Sequence, residues 1–214
     1  MHPTSTPCSM PPSEATNKTD EVAADSEPSG AAFVHPSATI HGDVHPGEGS
    51  SVWVNAVIRA EIHAVHIAPY ANVQDFVMIH VGVRIGAYCS IMHHATVHGA
   101  TIGENCLIGI NATVINGCSI GANCVIGAGA VLIEGTEVPD NAVVVGVPAK
   151  VLARRDNFVA NRLNAFAYHR NAFGYGRGDH RVWASAPRRR SASGCRRSGG
   201  AVPISSRREQ GQHE

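Results

Sequence analysis

Aliphatic residues return at every sixth position through the middle of the chain. The repeat covers Ile67, Val73, Ile79, Ile85, Ile91, Val97, Ile102, Ile108, Val114, Ile120, Ile126, Leu132, Val138 and Val144. Glycine often follows the aliphatic residue, as a chain that turns a tight corner after each short strand requires. A period of six fits neither a helix nor one long strand, whereas three flat segments of six residues close a triangular coil. The pattern therefore predicts a parallel β-helix with an internal aliphatic ladder.

The step between Val97 and Ile102 is five residues, so one corner there is a residue short. When positions are counted within coils, His80 and His98 occupy the same place on successive coils, because 98 − 80 = 18. Neighbouring strands lie about 4.8 Å apart, so two outward-pointing imidazoles stacked in this way can converge on one metal ion. His80 and His98 are therefore predicted to share a metal site.

A third histidine, His93, falls on a different side of the triangle from His80 and His98. A corner and several residues separate it from His98, and the simplest geometry that recruits it is a neighbouring subunit. A threefold trimer would place His93 of one chain beside His80 and His98 of the next. Three imidazoles with an open fourth position are typical of catalytic zinc.

Around these histidines the chain resembles the gamma-class carbonic anhydrases, over about residues 33 to 155. The resemblance depends on the histidine triplet and on these segments: Arg59-Ala60-Glu61, Asn72-Val73-Gln74-Asp75 and the closing Gly146-Val147-Pro148-Ala149-Lys150. The closing segment is common among hexapeptide-repeat proteins. The histidine triplet together with Gln74 is specific.

The resemblance implies an all-β fold, a left-handed parallel β-helix of hexapeptide repeats, assembled as a homotrimer. Helical spacing after the repeat adds a C-terminal α-helix to this fold. The resemblance also implies Zn²⁺, or alternatively Fe²⁺ or Co²⁺, bound by His80, His93 and His98 at each interface. A hydroxide on that metal would attack carbon dioxide to give bicarbonate. Gln74 would orient the hydroxide by hydrogen bonding.

The resemblance further implies structural roles for Arg59 and Asp75, which match family positions that tie subunits together. Glu61 is placed with them, although the family usually has aspartate there, in an Arg-Gly-Asp triplet. The insertion that many members carry after the first metal histidine is missing, because the chain keeps strict spacing from His80 to Ile85. His94 is the candidate proton shuttle in its place, with His63 and His66 as substitutes.

Composition divides the chain into four parts. Residues 1–32, rich in Ser, Thr, Pro and Ala, are predicted to be a disordered tail, and residues 33–153 form the β-helix domain. In residues 154–183 apolar side chains recur at helical spacing, which predicts an amphipathic helix that packs along the prism. Those side chains are Phe158, Val159, Leu163, Phe166 and Ala167. Residues 184–214 carry seven arginines against two glutamates and are predicted to be a disordered basic tail.

The remaining features bear on location and partners. Cys106 and Cys124 are 18 residues apart and should face the coil interior, and the cysteine pattern fits a reducing cytosol. The N-terminal segment lacks the apolar stretch of a secretory signal, and its acidity is unlike a mitochondrial transit peptide. No stretch of the sequence is long and apolar enough to predict a membrane-spanning segment. We expect a cytoplasmic protein without a membrane partner. The basic tail lacks interleaved aromatic residues, so we interpret it as a solvated extension rather than a nucleic-acid contact.

Two other functional classes stay open beside carbonic anhydrase. The first is a hexapeptide-repeat acyltransferase that uses coenzyme A and a histidine base. Such an enzyme does not need three histidines at metal spacing. The second is a noncatalytic, carbonic-anhydrase-like trimeric scaffold, which the missing loop and Glu61 make worth testing. Metal content separates the acyltransferase from the others, and carbon dioxide hydration separates the enzyme from the scaffold.

Overall fold

A computed structural model describes residues 33–181 of the 214-residue chain. The tails predicted at residues 1–32 and 184–214 lie outside the described residues. The strands and the helix, in chain order, are β1 (Phe33–Val34), β2 (Thr39–Pro46), β3 (Ser51–Val52), β4 (Val57–Ile67), β5 (Asn72–Val73), β6 (Met78–His80), β7 (Arg84–Ile85), β8 (Ser90–Ile91), β9 (Thr96–His98), β10 (Thr101–Ile102), β11 (Leu107–Ile108), β12 (Thr113–Val114), β13 (Ser119–Ile120), β14 (Val125–Ile126), β15 (Val131–Leu132), β16 (Glu137–Val138), β17 (Ala142–Val145), β18 (Lys150–Arg154) and α1 (Phe158–Gly176).

The strands form a left-handed parallel β-helix, as predicted. One side of the triangular prism is the sheet β1-β3-β5-β8-β11-β14-β17, and β18 closes it as an antiparallel edge strand. The second sheet has the order β15-β12-β9-β6-β4-β7-β10-β13-β16, with β2 paired to β4. Because β4 is long enough to bend around a corner, this sheet covers the other two sides of the prism.

The predicted aliphatic ladder is confirmed, because every one of its members from Ile67 to Val144 is buried. The short corner is confirmed as well, since Ile102 pairs with Ile85, a separation of 102 − 85 = 17 residues. Each buried Ile or Val contributes roughly 1.5–3 kcal/mol of transfer free energy before chain entropy is counted. This ladder fixes the register of every outward-facing side chain above and below it.

Tight corners between strands require a residue with positive φ, and asparagine or glycine supplies it at most positions. At the corner that follows β6 and its neighbours, the stacked column runs Val81, Gly99, Gly117 and Gly135. Val81, with a φ of 62°, is the exception in this column. A β-branched residue is costly in the left-handed region, so position 81 carries local strain beside His80.

The cysteines of the described residues are free and buried, as the sequence predicts for Cys106 and Cys124. They form a hydrogen-bonded ladder with Cys89, because the Cys106 amide donates to Cys89 Sγ and the Cys124 amide donates to Cys106 Sγ. The hydrogen bond with Cys106, followed by burial, raises the pKa of the Cys124 thiol. These thiols serve packing rather than chemistry.

Helix α1 docks on the first sheet through polar side chains. Asn161 Nδ2 donates to the carbonyl oxygens of Asn105 and Cys124, at 2.8 and 3.1 Å. Asn157 Nδ2 donates to the Asn123 carbonyl, and the Arg162 guanidinium lies 3.5 Å from the centroid of the Tyr88 ring. Corner carbonyls of the coils are thereby satisfied by asparagine amides, which ties the helix to the prism.

The prediction that the apolar stripe of this helix packs on the prism is wrong. Val159 is 64% exposed and Phe166 is 59% exposed, whereas Asn161, Ala165 and Tyr168 are buried. The docked face combines asparagine amides bonded to backbone carbonyls with a small apolar cluster of Tyr168 and Ala172 on Trp53, so the larger apolar stripe is left outside. None of the helices in the described part of the chain has the length and apolar character needed to cross a membrane.

Candidate metal site

His80 and His98 face each other on neighbouring strands. Strands β6 and β9 pair in parallel with His80 opposite His98, as the spacing of 18 predicts. His80 Nδ1 lies 3.0 Å from His98 Nε2, and the ring centroids are 4.9 Å apart. The His80 side chain is 27% exposed, so the pair remains open to solvent on one side. Two imidazoles therefore direct one ring nitrogen each toward a shared point.

The outer nitrogens of this pair are both hydrogen-bonded. His98 Nδ1 is in close contact with Oδ1 of Asn116, and His80 Nε2 lies 3.3 Å from Oε2 of Glu61. Arg59 contacts the other carboxylate oxygen of Glu61, with both Nε and a terminal guanidinium nitrogen at 2.7 Å. A backbone hydrogen bond, followed by the Arg59 hydrogen bond, lowers the pKa of Glu61. Glu61 is thus an ionised acceptor that bridges Arg59 and His80 within one chain.

His93 lies at a different corner of the prism, where the first sheet turns toward β9. Its Nδ1 atom is 2.8 Å from Oδ2 of Asp75, and its Nε2 atom is 3.3 Å from the hydroxyl of Tyr168 on helix α1. The Tyr168 ring packs edge to face on Trp53, at 5.3 Å. Burial, followed by the charge of Asp75, raises the pKa of Tyr168 to about 12. Within the chain His93 belongs to this cluster and not to the histidine pair.

Gln74, the predicted orienting residue, is fully buried. Its Nε2 donates to Asn72 Oδ1 at 2.9 Å, and Asn72 Nδ2 donates in turn to Ser90 Oγ at 3.0 Å. The Oε1 atom of Gln74 has no hydrogen-bond partner within the described residues. The Gln74 amide donates to the Ile91 carbonyl, so Gln74 lies at the same corner of the prism as His93.

His94, the predicted proton shuttle, is exposed and follows His93 at the corner. Its ring stacks on Phe76, with centroids 4.9 Å apart and an interplanar angle of 2°. Both residues have a φ of 59°, so the stacked pair stands outward from two successive coils. This position next to His93 leaves the predicted shuttle role open to test.

The structure therefore brings the predicted residues into two groups, one around His80 and His98 and one around His93. Arg59 and Asp75, predicted to act between subunits, contact Glu61 and His93 within the chain. Among residues 33–181, no three His, Cys, Asp or Glu side chains of a single chain converge closely enough to hold a metal ion.

Two residues at the site were missed by the sequence analysis. Asn116 lies 18 residues after His98, but the register of β12 on β9 is 17 residues, so counting places Ile115 beside His98 and does not identify Asn116. Tyr168 lies 75 residues after His93 and outside the repeat. No spacing rule connects a helix to a particular coil, so that contact had no signal in the sequence.

Part of the repeat region matches a known family of hexapeptide-repeat proteins. Residues 99–134 match the bacterial transferase hexapeptide family, described as six repeats. Among solved structures, a hexapeptide transferase family protein from Anaplasma phagocytophilum is 25% identical and superimposes with a TM-score of 0.62. That alignment covers 67% of this chain and 92% of the other.

Curated relatives give a narrower similarity. A protein of Methanocaldococcus jannaschii named a probable carbonic anhydrase is 53% identical over 119 residues, which are 54% of this chain and 75% of that protein. Gamma carbonic anhydrase 1, mitochondrial, of Arabidopsis thaliana is 37% identical over 94 residues, which are 39% of this chain. The match spans about a third (34%) of the length of the Arabidopsis protein.

Proposed function

Since this chain belongs to the gamma-class carbonic anhydrase family, we propose that it catalyses the metal-dependent, reversible hydration of carbon dioxide to bicarbonate. The ion is Zn²⁺, with Fe²⁺ and Co²⁺ as the other candidates, and the working assembly is a homotrimer. The observation that carries the proposal is the pair of facing nitrogens on His80 and His98. Free, buried thiols support a reducing compartment, and we propose the cytoplasm.

The residues present fit a divalent metal ion. Two nitrogens that each lie 2.0–2.1 Å from a tetrahedral zinc ion are about 3.3 Å apart. His80 Nδ1 and His98 Nε2 are 3.0 Å apart, so a small adjustment of either ring admits the ion between them. Imidazole suits Zn²⁺, Fe²⁺ and Co²⁺ alike, so the donor set supports this class of ion without selecting one member.

The third ligand in this proposal is His93 of a neighbouring chain. Asp75 accepts a hydrogen bond from His93 Nδ1, which leaves the lone pair on Nε2. Among residues 33–181 the hydrogen-bond partner of that nitrogen is the Tyr168 hydroxyl, at 3.3 Å. In a threefold trimer, His93 of each chain would meet the His80 and His98 pair of the next chain, which gives one site at each of the three interfaces.

When bound, the ion supplies the Lewis acidity that activates a water molecule near neutral pH. The side chains of this protein orient the reactants around it. In this proposal the Oε1 atom of Gln74, which has no hydrogen-bond partner among the described residues, accepts a hydrogen bond from the attacking water. His94, exposed beside His93, accepts the released proton and passes it to buffer. Glu61 and Arg59 hold His80 in place through charge-assisted hydrogen bonds.

Acyl transfer from coenzyme A is the second candidate, because the similar structures include a hexapeptide transferase family protein. A histidine base for acyl transfer needs one exposed imidazole, and it gains nothing from a second imidazole nitrogen 3.0 Å away. The pairing of His80 with His98 therefore favours metal binding. A noncatalytic scaffold that keeps the metal is the third candidate, and only an activity assay separates it from the enzyme.

The first experiment measures metal content, native mass and carbon dioxide hydration on one sample of the full chain. We expect about one metal ion per chain, a mass of three chains, and hydration above the uncatalysed rate that disappears on metal removal. Coenzyme A release from acetyl-coenzyme A with no bound metal would support the acyltransferase. A metal-loaded trimer that does not hydrate carbon dioxide would support the noncatalytic scaffold.

The second experiment tests whether sites are shared between chains. His80→Ala and His93→Ala variants are purified, mixed at equal amounts under conditions that exchange subunits, and assayed for bound metal. A site is complete wherever a His93→Ala chain supplies His80 and His98 and its neighbour supplies His93. Random assortment restores about a quarter of the sites.

The matched control mixes His80→Ala with His98→Ala. Both of these ligands come from the same chain at each site, so no arrangement of the two variants completes one. Metal recovery in the first mixture and none in the control would support the shared site. Equal recovery in the two mixtures, or none in either with trimers intact, would exclude it.

A further inference from the structure

We propose that Asn116 is a positioning residue that fixes the protonation pattern of His98, so that the lone pair of this imidazole points at His80. The inference rests on the proposed metal function, which it deepens by naming the group that prepares one ligand. Asn116 follows β12, whose register places it one coil beyond His98. Its Oδ1 atom is the partner of His98 Nδ1.

The chemistry of the two partners decides which ring nitrogen carries the proton. An amide carbonyl oxygen only accepts hydrogen bonds, so the contact with Asn116 requires a proton on His98 Nδ1. In the neutral ring the other nitrogen, Nε2, then carries the lone pair. Nε2 is the atom that lies 3.0 Å from His80. Asn116 thereby aims the metal-binding electron pair of His98 into the site.

Glu61 holds His80 from the opposite side. Its carboxylate, which Arg59 contacts, lies 3.3 Å from His80 Nε2. Because His98 Nε2 carries the lone pair, the hydrogen bond between the two inner nitrogens is donated by His80 Nδ1 in the metal-free chain. A bound cation takes the place of that proton, so both inner nitrogens then face the cation.

The two outer partners differ in charge. Glu61 is an anion, whereas Asn116 is neutral and orients His98 without adding a second negative charge to the histidine pair. Asn116 is exposed, so its effect depends on this one hydrogen bond rather than on packing. An aspartate at position 116 keeps the acceptor oxygen, and an alanine removes it, which gives a conservative and a disruptive substitution at the same place.

The first readout is the ring protonation of His98 in the metal-free full chain, measured by ¹⁵N nuclear magnetic resonance at a pH where the imidazole is neutral. We expect the wild-type protein and Asn116→Asp to carry the proton on Nδ1. We expect Asn116→Ala to shift part of the population to a proton on Nε2, because the acceptor that holds the proton on Nδ1 is then absent. Glu134→Ala, one coil further along the same corner, is the matched control and should resemble wild type.

The second readout is Zn²⁺ affinity of the same proteins, measured by competition with a chelator. Loss of an outer hydrogen bond to a ligating histidine typically weakens metal binding 10–100-fold, so Asn116→Ala should lose that much. Asn116→Asp should stay within a few fold of wild type. A merely structural role for Asn116 would change folding stability without moving the proton on His98.

The outcomes separate this inference from the proposed function. A wild-type His98 protonated on Nε2, or an unchanged proton position and affinity in Asn116→Ala, would overturn the role of Asn116 even if hydration is observed. Conversely, a proton shift and weakened Zn²⁺ binding without any carbon dioxide hydration would support the role of Asn116 and contradict the enzymatic proposal.

Discussion

Gly99 packs directly against the side-chain amide of Asn116, because a Cβ atom at position 99 would lie 2.9 Å from Asn116 Oδ1. That oxygen is the acceptor for His98 Nδ1. The absence of a side chain at position 99 therefore gives the amide room to reach His98. Gly99 also has a φ of 57°, so a substitution there has a conformational cost in addition.

We predict that Gly99→Ala displaces the Asn116 amide and weakens Zn²⁺ binding about tenfold. It should also lower the free energy of unfolding by about 1–2 kcal/mol, because alanine is strained at positive φ. Chelator competition measures the first effect, and urea unfolding of the metal-free protein measures the second. Unchanged affinity with reduced stability would contradict the proposed link between Gly99 and His98.

The control for Gly99→Ala is Gly117→Ala, one coil further along the same corner. Gly117 has a φ of 72°, and its nearest neighbours would be Gly135 backbone atoms at 3.6 Å, which is ordinary van der Waals contact. Both substitutions should therefore cost similar stability. Only Gly99→Ala should reduce the affinity for Zn²⁺.

Val81 stands in the same column as these glycines, with a φ of 62°. We predict that Val81→Asn stabilises the protein by roughly 1 kcal/mol, because asparagine tolerates the left-handed region better than a β-branched residue. The urea midpoint should rise accordingly. Asn111→Val, which places valine at an exposed corner position with a φ of 57°, should lower the midpoint by a similar amount. Destabilisation by Val81→Asn would indicate that the packing of Val81 outweighs its strain.

The coil stacking and the histidine pair were predictable because both follow from counting residues within one repeat. The register of Ile102 on Ile85 and of His98 on His80 follows from the number of residues in each coil, which is 17 in the first case and 18 in the second. Asn116 does not follow from the same count, because the register of β12 on β9 places Ile115 beside His98. Its contact with His98 arises at the corner between Val97 and Ile102, which is one residue shorter than the next corner in the stack.

The contacts of helix α1 were not predictable in the same way. An apolar stripe usually marks the docked face of a helix, and that rule selects Leu163 and Phe166. The sides of this prism are closed by backbone hydrogen bonds, but its corners leave carbonyl groups that need donors. Asn161 supplies those donors, and it therefore faces inward while Leu163 faces out.

This reversal predicts opposite effects for two neighbouring substitutions in the helix. Asn161→Ala removes the side-chain donor from the Asn105 carbonyl, whereas the Cys124 carbonyl keeps the Leu107 amide, so the substitution should cost about 1–3 kcal/mol of unfolding free energy. Leu163→Ala removes a side chain that is 49% exposed and should change stability by less than about 0.5 kcal/mol. Urea unfolding of the two variants provides the comparison. A larger cost for Leu163→Ala would show that its face is covered in the assembled protein.

Tyr168 predicts a specific alkaline loss of stability. Burial, followed by the charge of Asp75, raises the pKa of Tyr168 from about 10 to about 12 in the folded protein. Between these values the unfolded chain has released a proton that the folded chain retains, so the free energy of unfolding falls as pH rises. At pH 11 this contribution is about 1 kcal/mol, and it is fully present below pH 10. Tyr168→Phe should therefore lose less stability between pH 9 and pH 11 than wild type, as measured by urea unfolding. An identical alkaline slope in wild type and Tyr168→Phe would contradict the buried, protonated hydroxyl beside His93.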